Sequence, residues 1–135
     1  MSLPLYQLQQ ALFARLNGDA LLMSMIQGIH DSVPQNTSFP YVVIGDGDQN
    51  DVPASDTISV RCSLDIEVFS RSKGRKEVLL ILERLYALLH QSVLTVSGYE
   101  CIISRCSRAE TETLIDAVTL RGSMRVTILL MQEIV

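Results

Sequence analysis

Two runs of strict two-residue alternation constrain this chain more than any other feature. Val60, Cys62, Leu64, Ile66 and Val68 are apolar, whereas Arg61, Ser63, Asp65 and Glu67 between them are polar or charged. From Val118 onward Leu120, Gly122, Met124, Val126, Ile128 and Leu130 repeat the pattern. Successive side chains of a strand point to opposite faces, so each run predicts a strand with one buried and one wet face. Antiparallel sheets tolerate that arrangement, whereas parallel sheets need cover on both sides. The wet face is defined by Arg61, Asp65, Glu67, Arg121, Arg125 and Thr127, and Gly122 is a candidate kink in the later strand.

Helices are expected to cover the apolar face. Leu5, Leu8, Leu12 and Leu16 recur at helical spacing after Pro4, which fits a first turn, and Asn17-Gly18 stops the run. Asp19 is placed to cap a second, short helix through Leu22 and Ile26, ending near Gly28. The strongest helix carries Val78, Ile81, Leu82, Leu85, Leu88 and Leu89 on one face, with Glu83, Arg84 and also Leu80 opposite. Tyr41 to Ile44 and Glu100 to Ser107 predict two further strands. Residues 31–40, the acidic stretch 45–57 and the polar stretch 108–116 read as connections. The order α(α)ββαββ predicts an α+β fold, a four-stranded, mostly antiparallel sheet with two main helices packed on one face. With 135 residues, 47% of them hydrophobic and none of them Trp, residues 1–135 suit one domain with an aliphatic core.

The formal net charge is −4, and the main basic cluster is Arg71, Lys73, Arg75 and Lys76 without interleaved aromatics. That balance argues against sequence-specific nucleic-acid binding, which depends on neutralising phosphates. No apolar run is long enough to predict a membrane span. Cys62, Cys101 and Cys106 form no CxxC, and the start Met1-Ser2-Leu3-Pro4 lacks the basic opening of a secretion signal. Reduced thiols in a cytoplasm-type compartment are expected.

A search for chemistry assigns no catalytic, cofactor-binding or metal-binding residue. His30 and His90 each fall at the end of a helical segment, where an imidazole suits the helix dipole. Cys101 and Cys106 lack zinc-ligand spacing, and five residues apart on a regular strand they would face opposite ways. Asp46, Asp48 and Asn50 imitate the opening of a calcium loop, but Asp51 replaces its glycine and Thr57 its closing glutamate. No phosphate-cradling or nucleophile-elbow motif occurs, so the chain is not read as an enzyme and no cofactor is implied.

Several segments in order resemble a known family. They are Leu16-Asn-Gly-Asp19-Ala-Leu at the end of the first helix, and Asp31-Ser-Val-Pro34 followed by Phe39-Pro-Tyr41-Val-Val-Ile-Gly45. Leu64-Asp-Ile-Glu-Val-Phe69-Ser70-Arg71, the turn at Gly74, the helix from Leu85 to His90 and the closing Arg125-Val-Thr-Ile-Leu-Leu complete the set. Together they resemble the tail completion and terminator proteins of siphophages, prophages and gene-transfer particles, over roughly residues 8 to 133. The resemblance implies a structural virion-tail subunit, assembled in the bacterial cytoplasm. It forms a homo-oligomeric ring, expected to be a hexamer, at the head-proximal end of the tail tube. Its partners would be further copies of itself, the major tail tube protein and the head completion or connector protein. Leu80, Asp46, Asp48, Asp51, Arg121 and Arg125 are the candidate subunit-interface residues. A head-completion adaptor, a minor tail protein or an unrelated small ligand-binding domain are the alternatives.

Overall fold

A computed structural model describes residues 3–52 and 59–132. Helix α1 (Pro4–Asn17) opens on its proline and buries Leu8, Leu12 and Leu16. Helix α2 (Ala20–Met25) is capped by Asp19, whose carboxylate accepts the Leu22 amide at 2.9 Å. A two-residue strand β1 (Ile29–His30) follows, then β2 (Tyr41–Val52), β3 (Ser59–Ser70), α3 (Lys76–Leu89), β4 (Tyr99–Thr113) and β5 (Leu120–Gln132). The strands form one five-stranded sheet in the order β1-β2-β3-β5-β4, antiparallel throughout except where β1 joins β2.

The sheet therefore has five strands where the sequence predicts four. Residues Ile29 and His30 leave the helical path and pair with Val42 and Val43. Two residues cannot display a period, so this strand is a tertiary decision, fixed by backbone bonds such as Val42 N–H to the Gly28 carbonyl at 3.0 Å. Two predicted connections are also strand. Gly45 to Val52 continues β2 past an irregularity between Ile44 and Gly47, and only 53–57 of the predicted acidic loop lie outside the described residues. Arg108 to Thr113 continues β4, leaving a short turn in which the Leu114 amide meets the Thr119 carbonyl at 2.8 Å.

β3 and β5 form the centre, in unbroken register from Ser59 opposite Met131 to Ser70 opposite Leu120. Their alternation appears as expected, with Cys62, Leu64, Ile66, Val68, Met124, Val126, Ile128 and Leu130 all buried. Both β3 and β4 run antiparallel to β5, so they share a direction and α3 supplies the crossover between them. The buried residues of α1, α2 and α3 join this apolar sheet face in one cluster. Gly122 does not kink β5. A Cβ there would lie 2.9 Å from Leu82 Cδ1 and 3.1 Å from Val78 Cγ1, so the glycine lets α3 approach the sheet.

The C-terminal end of α3 is tied to β4. Buried Ser104 donates to the Leu89 carbonyl at 2.6 Å, the Gln91 amide donates to the Ser104 carbonyl at 2.7 Å, and the Cys106 amide donates to His90 Nδ1 at 3.1 Å. These bonds answer polar groups that a helix end otherwise leaves without partners. His90 thus uses its ring as a hydrogen-bond acceptor, stacked on Tyr86 at 4.4 Å, instead of serving only as a charge near the helix dipole.

Candidate interaction face of the sheet

The face turned away from the helices is built from charge. Arg125 of β5 reaches Asp65 of β3 at 3.1 Å and Asp48 of β2 at 3.0 Å. Arg121 reaches Glu67 of β3 at 3.3 Å and Glu112 of β4 at 2.7 Å, and Arg108 meets Glu110 at 2.7 Å. Arg121 therefore links β5 to its neighbours on both sides, whereas Arg125 reaches across β3 to β2 on one side. These pairs are partly exposed, and such pairs contribute at most about 1 kcal/mol each. Their weight lies in orientation: planar guanidinium groups hold the carboxylates in a fixed pattern.

Asp46, Asp65, Glu67, Arg108, Glu110, Arg121, Ser123 and Arg125 line a shallow depression of about 340 Å³ on this face. Four carboxylates and three guanidinium groups compensate one another there, which suits a polar macromolecular contact better than capture of one small ion. Ser63 and Thr127 hydroxyls, 3.2 Å apart, continue the polar surface. Beyond them Ile103 pairs with Leu129, and Ile103 is 43% exposed, so one end of the face is apolar.

Four of the six candidate interface residues, Asp46, Asp48, Arg121 and Arg125, share this face. Asp51 is exposed but in register with Val60, whose side chain enters the core, so it belongs to the opposite face near the edge. Leu80 is 45% exposed on α3, beside Met25 and Lys73, away from the charged face. Sequence reasoning missed Arg108, Glu110 and Glu112 because their stretch was read as a connection. The available signal was weak: these three charged residues alternate with the small Ala109, Thr111 and Thr113, a period of two without a large apolar member.

The remaining candidates separate. His30 packs edge-on to Tyr41 at 5.7 Å, in a row with Phe39 and Phe69, while His90 binds at the end of α3. Cys101 and Cys106 do not face opposite ways. An irregularity between Cys101 and Ile103 restores the phase, so they oppose Leu130 and Val126 on the apolar side. Burial pushes the Cys62 and Cys106 thiols up to about 11, with Asp48 adding to the effect at Cys62. Arg71 of the basic cluster lies over the Phe39 ring at 4.3 Å and donates to Thr119 Oγ1 at 3.1 Å, whereas Lys73, Arg75 and Lys76 are exposed. Asp46, Asp48 and Asn50 stand on a paired strand, not on a loop that could wrap a cation. Among the described residues no group of three or more His, Cys, Asp or Glu is placed to hold a metal ion. Among them, too, no helix is long and apolar enough to cross a membrane.

Solved structures share this architecture. A chain in the virion of a native gene transfer agent particle is 17% identical, with a TM-score of 0.87 over 97% of this chain and 99% of that one. The gp17 protein of bacteriophage SPP1 is 26% identical, with a TM-score of 0.65 over 95% of each chain. No curated protein matches the sequence. The family model described as tail completion protein gp17 matches residues 10–130, from within α1 to the end of the alternating run in β5. With the match running through the helices, the charged face and both edges of the sheet, the chain belongs to the phage tail completion protein gp17 family.

Proposed function

We propose that this protein is a structural component of a phage-type virion tail. In this reading copies form a ring at the head-proximal end of the tail tube, stop its polymerisation and join it to the head. A hexamer is the expected ring. The observation that carries the reading is the family match over residues 10–130, a tail completion family whose architecture also recurs in a gene transfer agent virion. The charged face supports it, because a pre-oriented lattice of arginines and carboxylates favours specific partners and fast encounter over tight capture of a metabolite. The partners are further copies, the tail tube protein and the head completion or connector protein, and assembly takes place in the bacterial cytoplasm. Electron microscopy of particles produced without this protein tests the reading. Overlong tail tubes and heads lacking tails are expected, and tails of normal length attached to heads would refute it.

A further inference from the structure

Two uncovered surfaces of the molecule each hold what the other lacks. On the outer side of α3, Leu79, Leu80 and Tyr86 are exposed, and Glu83 stands among them at helical spacing. Glu83 has no ion-pair partner among the described residues. The other surface is the apolar end of the free sheet face. There Arg61, Leu129 and Ile103 form one row across β3, β5 and β4, and Ser63, Thr127 and Arg105 form the next. Arg61 and Arg105 are exposed, and they too lack an ion-pair partner among the described residues. Resting on the ring reading above, we infer that α3 of one copy packs its outer side onto this end of the next copy's sheet, with Glu83 set against Arg61 and Arg105.

The charge pattern selects both the place and the occupant. Elsewhere on the face Arg108, Arg121 and Arg125 are already held by carboxylates of the same chain. At the apolar end the arginines are free to meet an acid from outside. A second copy offers such an acid within an apolar patch of its own. Leu79, Leu80 and Tyr86 then lie on Ile103 and Leu129 with the charges at their border, the usual anatomy of a specific interface. Contacts between like surfaces are repulsive. Sheet on sheet brings Arg61 and Arg105 against arginines, and helix on helix brings Glu83 against Glu83.

Val78, Ile81, Leu82 and Leu85 bury the inner side of α3 in the core, so the two surfaces lie back to back. A contact between opposite sides is head-to-tail, so every copy repeats it, and a ring closes when the rotation between copies is correct. The contact also gives the sheet a helix on each face and removes from water apolar side chains that a lone copy exposes.

The test uses the full chain, read by sedimentation velocity and by the yield of tailed particles. Glu83→Arg, and separately the pair Arg61→Glu with Arg105→Glu, should each weaken self-association about tenfold, as loss of close interfacial charge pairs does. Thermal melts should stay at the parent's value, because all three sites are exposed. The chain carrying all three substitutions should recover association and particle yield, since the opposite charges are then present with their positions exchanged. A triple variant as weak as its parts overturns the helix-on-sheet contact. Self-association that ignores the substitutions while particle yield falls would assign both surfaces to another tail protein, overturning the contact and leaving the ring reading standing. A chain that stays monomeric at every concentration, with or without tail tubes present, overturns both.

Discussion

Asp19 illustrates how one side chain can hold two elements. Its carboxylate accepts the Leu22 amide and receives Arg84 twice, Nε at 2.8 Å and Nη2 at 2.6 Å, so it caps α2 and fastens that helix to α3. The Arg84 hydrogen bonds, followed by the Leu22 amide, hold its pKa near about 2, below the ordinary 3.8. A depressed carboxylate pKa contributes stability that is complete above the unfolded value and is lost as pH falls through the folded one. Asp19→Asn keeps a capping oxygen while removing the charge. This variant should be less stable than the parent at neutral pH, by a margin that holds down to about pH 4 and closes towards pH 2. Urea melts across that range measure the margin, and one that stayed constant down to pH 2 would contradict the argument. Asp116 adds to the same acid limb, because the Thr119 hydroxyl and amide and the Val118 amide hold its pKa near about 2.

Among the elements, α3 and β5 meet closely at Gly122. Gly122→Val would drive a side chain into Leu82 and Val78, and overpacking of this kind costs roughly 1–3 kcal/mol. Denaturant midpoints should fall accordingly, and an unchanged midpoint would show that α3 can retreat from the sheet. The same contact shows what was legible beforehand. The stripes of α1 and α3 and the alternation of β3 and β5 were readable because each buries a periodic apolar face against the others. The outer parts of β2 and β4 were not, since Gly45–Val52 and Arg108–Thr113 have little apolar periodicity and owe their extended form to pairing with β3 and β5. β1 owes its form to β2 alone. The candidate face was half legible for the same reason. Its central arginines, Arg121 and Arg125, lie on the alternating β5, while Glu110 and Glu112 lie on the continuation of β4 that only the sheet reveals.

The whole molecule presents two contrasting exteriors, a charged sheet face and a helical side on which Leu79, Leu80 and Tyr86 are each about half exposed. A helical side of that character is a second place for contact with neighbouring subunits. Leu80→Asp should leave folding stability within about 0.5 kcal/mol of the parent, as substitutions at exposed sites usually do, yet impair assembly. Thermal melts and particle yields distinguish the two effects, and an unfolded variant would place Leu80 in the core instead. The buried sulfur atoms have a consequence for this packing as a whole. Cys62 is kept as a neutral thiol inside it, and alkylating reagents consume only the ionised form. The unaltered chain is in that sense its own clock, its Cys62 modified only as often as the centre of the sheet comes apart.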